Sequence, residues 1–122
     1  MQNHFGVFRK GDFMQEGIAK LADLRERINN VHLEDKSDTF NTARVEALEL
    51  ENLFEVAEAT AIAAEGRNES RGAHAREDFT TRDDENWLCH SMYFPESKTL
   101  GKRDVNFKPK TVPTFEPMER KY

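Results

Sequence analysis

Along the first half of the chain, apolar residues recur at helical spacing. From Phe13 onward, Met14, Ile18, Leu21, Leu24, Ile28 and Val31 follow steps of four, three, three, four and three, which puts them on one face of a helix. Asp12 stands where the N-cap belongs, with Gln15 three residues later to return the bond. A second helix is predicted over 42–65, opened by Asn41 as N-cap and closed by Gly66 at the C′ position. Val45, Leu48, Leu53, Phe54, Ala57, Ala61 and Ala64 supply its buried side. At about 1.5 Å per residue the two helices are ~28 Å and ~36 Å long. A polar connection containing Asp35, Lys36, Ser37 and Asp38 joins them, so an antiparallel helical hairpin is the economical arrangement. Ala57, Ala59, Ala61, Ala63 and Ala64 put small side chains on more than one face of the second helix. Either two neighbours approach it closely, or the alanines serve helix propensity alone.

Met1, Phe5 and Phe8 form a helical stripe with no capping residue before it. That fits a chain cut from a longer polypeptide at an internal Met, or a frayed N-terminal helix. After Gly66 the residues from Arg67 to Phe79 are densely polar and interrupted by Gly72, which predicts a loop with a short turn. Trp87 to Phe94 is aromatic and Arg103 to Phe107 alternates, so a β-hairpin is expected with Pro95 to Gly101 as its loop. Pro109, Pro113 and Pro117 recur every four residues and favour an extended strap. The predicted fold is mainly α: an antiparallel bundle of two long helices plus a short N-terminal helix, then an extended tail with a small hairpin. Residues 1–66 form the bundle, and residues 67–122 form the polar loop, hairpin and Pro-rich strap of the same single domain.

Composition sharpens that division. Residues 1–66 hold 29 of the 45 hydrophobic positions, with seven cationic against thirteen anionic residues; residues 67–122 hold 16 hydrophobic positions, eleven cations, ten anions and all four prolines. The tail is too poor in apolar residues to bury itself and is expected to lean on another surface. A net charge of −5 argues against nucleic-acid binding by counterion release. One Cys in 122 residues excludes a disulfide framework within the chain and fits a reducing, cytoplasmic compartment. Neither a membrane-spanning run nor a signal peptide is visible.

Catalytic motifs are not found. The six glycines contain no G-x-G-x-x-G pattern, and His4, His32, His74 and His90 lack the spacing of metal ligands, so no metal site is expected. Arg67, Arg71, Arg76 and Arg82 cluster around Gly72 and His74. Guanidinium forks suit carboxylate or phosphate recognition, yet Glu69, Glu77, Asp78, Asp83, Asp84 and Glu85 offer pairing within the chain. His74 fits a structural role.

The string Glu69-Ser70-Arg71-Gly72-Ala73-His74, followed by Arg82-Asp83-Asp84-Glu85-Asn86-Trp87-Leu88-Cys89-His90-Ser91, resembles the C-terminal helical domain of the succinate dehydrogenase and fumarate reductase flavoprotein subunit, the bacterial succinate dehydrogenase branch in particular. The likeness extends over Met1 to Arg9, Arg25-Glu26-Arg27, Phe40 to Glu46, and Glu119-Arg120-Lys121-Tyr122, which looks like the family's Arg-x-Tyr ending. The resemblance implies a longer flavoprotein of the tricarboxylic acid cycle and electron transport. Its FAD is held covalently by an upstream domain, and a capping domain closes over the dicarboxylate. An iron–sulfur subunit and membrane anchor subunits would be its partners, on the cytoplasmic face of the inner membrane.

The family's substrate-binding and flavin-linking residues match no position of this chain, so no catalytic, direct cofactor-binding or metal residue is expected here, and the chain alone is expected to be inactive scaffold. Arg71 and Arg120 are the candidates for supporting the flavin site, with His74 structural or a backing residue for that site. Two further expectations are a mobile or docked tail and self-association of the isolated chain. The competing reading is a free-standing helical module that binds an acidic partner through its Arg cluster.

Overall fold

The structure, a computed structural model, describes residues 1–118. It is helix-rich. In chain order it contains α1 (Gln2–Phe5), β1 (Phe8–Arg9), α2 (Gly11–Ile28), α3 (Thr42–Gly66), β2 (Ala75–Arg76), α4 (Asp84–Trp87), β3 (Cys89–Phe94) and β4 (Thr99–Asp104).

The long helices run antiparallel, because Gln15 Nε2 reaches Glu65 Oε1 at 3.2 Å at one end and Arg25 Nη2 reaches Glu55 Oε1 at 2.5 Å toward the other. Between them Phe5, Met14, Leu21, Phe54, Ala61 and Ala64 form the core, flanked by Ile18, Ile28 and Ala57. The described residues thus give a helical pair carrying a one-turn helix. Small residues set its spacing. A Cβ on Gly17 would lie 2.5 Å from the Phe5 ring and 2.6 Å from His4 Cβ, so glycine lets α1 sit directly on α2.

The predicted second helix forms as expected at its start, where Asn41 Oδ1 accepts from Arg44 N at 2.8 Å. Its end differs. Gly66 is the last helical residue and no left-handed cap follows, since Arg67 is extended at φ −91, ψ 100. Glycine there leaves room for the hairpin, since a Cβ would come 2.5 Å from Leu100 Cδ1 and that side chain would have to turn aside. The predicted capping box at Asp12 is absent. The helix begins two residues earlier, with Lys10 at the N-cap position, and Asp12 Oδ1 accepts only from the neighbouring Phe13 N, at 2.9 Å. The cap comes from far along the chain, because Gly11 N donates to Asp78 Oδ2 at 3.0 Å.

Three expectations about burial and register are corrected. Val45, Leu48 and Leu53 are exposed rather than core: the first turns of α3, with Val45 and Leu48, run past the end of α2, while Leu53 lies about 100° around the helix from buried Phe54 and points away from α2. The stripe of Met1, Phe5 and Phe8 breaks after Phe5: only Phe5 is buried, and Phe8 lies in β1, paired in parallel with Ala75 of β2. The hairpin's second strand is Thr99–Asp104 rather than 103–107. Pro95 to Lys98 already close the turn, with Lys98 at φ +52, so Gly101 becomes a strand residue opposite Met92. From Val105 to Met118 no helix or strand forms, and Arg82 Nη1 donates to Met118 O at 3.1 Å.

Gly17→Ala therefore reverses the usual helix preference. In an open helix interior the change stabilises by up to about 1 kcal/mol, whereas here the collision with Phe5 and His4 is expected to cost about 1–3 kcal/mol. A lower midpoint in thermal unfolding of the variant checks it.

Candidate functional site: the arginine loop

The segment from Arg67 to Trp87 is built on one buried carboxylate. Glu69 is fully buried and follows the end of α3. Its Oε1 accepts from Arg67 Nε at 2.8 Å and Arg71 Nε at 2.8 Å; its Oε2 accepts from Arg71 Nη2 at 3.0 Å and from Asp83 N at 2.9 Å. Burial pushes the Glu69 carboxyl upward, but the hydrogen bonds from Arg71, Asp83 and Arg67 together outweigh it and hold the group below its ordinary value. The bidentate contact with Glu69 raises the Arg71 guanidinium further still.

Local sequence makes the turn. Arg71 and His74 exchange both backbone hydrogen bonds at 2.9 Å, and Gly72 between them sits at φ +57, where glycine carries no steric cost. Ser70 Oγ accepts from Arg76 N at 2.8 Å and donates to Phe79 O at 2.7 Å, folding the chain back. Asp83 caps α4 through Asn86 N at 3.0 Å.

Each predicted arginine has a carboxylate of this chain. Arg67 pairs with Glu69 and also donates to the carbonyls of Cys89 and Trp87. Arg71 pairs with Glu69 and Asp84, Arg76 with Asp78, and Arg82 with Asp84. The pairing reading of the charge run is what the geometry shows at these positions, which leaves the cluster little to offer an acidic partner. Arg71 keeps Nη1 without a hydrogen bond among the described residues, on a side chain that is 26% exposed. Arg120 lies outside the described residues.

His74 is held in one tautomer. Nδ1 is 2.7 Å from Arg9 Nη1, which only donates, so Nδ1 accepts; Nε2 therefore donates to Arg67 O at 2.9 Å. Burial lowers the tendency of His74 to protonate, and Arg9, Arg76 and Arg67 add to that.

Two residues of this neighbourhood are more deeply buried than their sequence context signals. Arg76 is 4% exposed and donates through Nη1 to Glu65 O at 2.8 Å, as well as to Ala64 O and Arg67 O. Glu58, mid-helix in α3 and 6% exposed, gathers Lys98 at 2.9 Å, Arg25 at 3.2 Å and Tyr93 Oη at 3.2 Å. A Glu flanked by alanines at the helical core spacing is the one hint available.

Asn68, Phe79, Arg82, Asp84 and Trp87 border an open depression of about 670 Å³. Among the described residues no group of three His, Cys, Asp or Glu side chains is placed to hold a metal ion, and no helix is long and apolar enough to cross a membrane. FAD needs a backbone cradle for its phosphates. Among the described residues, the N-termini of the two long helices are capped by Asp78 at α2 and Asn41 at α3.

Comparison with known proteins gives one family. A family model described as the fumarate reductase flavoprotein C-term matches residues 1–122. The chain is 50% identical over 120 residues to the succinate dehydrogenase flavoprotein subunit of Coxiella burnetii, covering 98% of this chain and 20% of that protein. It is 35% identical over 122 residues to the fumarate reductase flavoprotein subunit of Haemophilus influenzae, covering 100% of this chain and 20% of that protein. Among solved structures, FrdA of E. coli quinol fumarate reductase superposes with a TM-score of 0.81 at 39% identity, over 95% of this chain and 20% of that one. The chain thus spans 20% of the length of each of these relatives.

Two outcomes follow from the buried charges. Glu69→Ala strands two guanidinium groups and is expected to cost about 3–5 kcal/mol, whereas Glu85→Ala at an exposed position should stay within about 0.5 kcal/mol; urea unfolding measures both. Acid should also destabilise the fold in two stages. The unfolded chain takes up a proton on His74 below its ordinary 6.5 while the folded chain resists, so stability falls as pH drops through that value. Glu58 and Glu69 add a second loss below their ordinary 4.5, complete once their lower folded values are passed. In His74→Gln the first stage should vanish from a series of urea midpoints against pH.

Proposed function

Since the chain belongs to the fumarate reductase flavoprotein C-terminal family, as the C-terminal domain of a succinate dehydrogenase or fumarate reductase flavoprotein subunit, we propose that it is the non-catalytic scaffold of a subunit that oxidises succinate to fumarate. The match over the whole chain carries the reading. In the assembled subunit FAD, held covalently by an upstream domain, takes up the hydride from succinate. An iron–sulfur subunit and membrane anchor subunits then carry electrons to quinone, at the cytoplasmic face of the inner membrane. Residues 1–66 act as the helical unit and residues 67–122 as the loop, hairpin and strap that lie over the flavin-binding part.

This chain's own contribution is charge and position. Glu69 grips the Nε–Nη2 edge of Arg71 bidentately and Asp84 adds a bond to Nη2, so the Nη1 of Arg71, unused among the described residues, is presented in one orientation. A fixed cation at the edge of a low-dielectric site stabilises negative charge without reorganising. Arg71, joined by Arg120, is assigned that role toward the flavin, and His74 keeps the turn beneath it in shape through Arg9 and Arg67.

The purified chain is expected to show no flavin absorbance and no succinate-dependent dye reduction; either signal would overturn the scaffold reading. In a full-length subunit, Arg71→Ala should lower covalently bound flavin several-fold while Lys36→Ala, on an exposed loop, leaves it unchanged. Equal flavin content in the two variants would remove Arg71 from the site.

A further inference from the structure

Among the described residues, one side of α3 has no partner. Gln15 lies level with Glu65 and Arg25 with Glu55, so the first ten residues of α3 project about 15 Å past the end of α2. Val45 and Val56 are eleven residues apart, about three turns, and therefore lie on one line with Leu48 beside it. Phe54, buried against α2, falls about two and a half turns from Val45, on the opposite side. Val45, Leu48 and Val56 are 56%, 57% and 67% exposed. Glu46 and Glu49 flank this stripe and form no ion pair among the described residues.

At the same end of the helix stands Phe40. It is 97% exposed and holds φ at +51, a left-handed conformation unfavourable for a bulky side chain. The loop is tied down around it: Asn41 Nδ2 donates to Asp35 O at 3.1 Å and Ser37 O at 3.0 Å, and Ser37 N donates to Asp35 Oδ1 at 2.9 Å. A strained backbone presenting an aromatic ring to water finds no contact that uses it among the described residues. Such strain accumulates where an external contact uses it, and a rigidly presented aromatic is the usual anchor of an interface.

We propose that Phe40, Val45, Leu48 and Val56 dock the part of the flavoprotein subunit that this chain does not span. The docked surface offers an apolar pocket for the Phe40 ring and Lys or Arg side chains facing Glu46 and Glu49. The proposal rests on the functional reading above. The occupant follows from length and tethering: this chain covers 20% of the relatives, and a surface on the same polypeptide meets the stripe at a high effective concentration, ahead of any separate molecule.

Amide hydrogen exchange tests it, comparing the 122-residue chain with the Coxiella burnetii subunit whose C-terminal fifth is replaced by this chain. Peptides over 40–56 should exchange about tenfold or more slowly in the chimera, with Phe40→Asp and Leu48→Asp returning them to the rate of the free chain. Should those variants misfold, Glu46→Lys with Glu49→Lys alters only exposed charges and should weaken the protection measurably. Three results would overturn the proposal: equal exchange in both proteins; protection that appears only after the iron–sulfur subunit is added; or protection in the free chain together with a dimer in sedimentation that Leu48→Asp dissolves. Flavin absorbance of the chimera is read separately. Protection without flavin would keep the docking surface and sink the flavin reading, and flavin without protection would do the reverse.

Discussion

The bidentate pair between Arg76 and Asp78 closes two helix ends at once, and the remaining structure is arranged around it. Arg76 Nη1 covers the last carbonyls of α3, a helix with no basic residue in its own last turn, while Nε and Nη2 hold Asp78 at 2.7 Å. Asp78 in turn caps the first N–H of α2. A cation thus meets the negative end of one helix dipole and an anion the positive end of the other. Because the helices are antiparallel, both ends lie side by side and two neighbouring residues can serve them. Gly11 eases this closure, since a Cβ there would come 2.9 Å from Asp78 Oδ2 and 3.3 Å from Arg76 Nη2.

From that closure the chain is carried into the arginine loop, where Glu69 does for the loop what Asp78 does for the helix ends. Glu69 sits between two guanidinium groups and Asp78 against one, and both carboxyls are held below their ordinary values by cations that never give up their protons. Glu58 is the third of the kind, tying α2, α3 and the hairpin through Arg25, Tyr93 and Lys98. Three acids, each shared by several donors, take the place of a larger apolar core. This is how a chain whose second part holds few hydrophobic residues still has a defined conformation through Asp104.

What was legible in the sequence was whatever acts locally. The apolar period of α2, the Asn41 cap and the aromatic strand depend on residues within a few positions of one another. What escaped depends on distant partners: Gly11 instead of Asp12 opens α2 because Asp78 reaches it from 67 residues away, and β1 pairs with β2 through backbone atoms that carry no side-chain pattern. In the loop, the charges themselves named their partners, since Arg67, Arg71, Arg76 and Arg82 stand among carboxylates. The depth of Glu69 and Arg76 could not be read, because a buried ion pair and a solvated one are spelled alike. Family likeness supplied the assignment that the residues alone withheld.

The same distinction explains α3. Its sequence is apolar on two sides, and periodicity cannot say which side finds a partner. Helix length decides it here: α2 ends too early to cover Val45 and Leu48, so core-like spacing becomes open surface over the first turns and remains core from Phe54 onward. A stripe that looks like a failed core prediction is then the mark of a missing neighbour. The left-handed Phe40 beside it points the same way, because a sequence free to avoid that strain would place glycine or asparagine at such a φ.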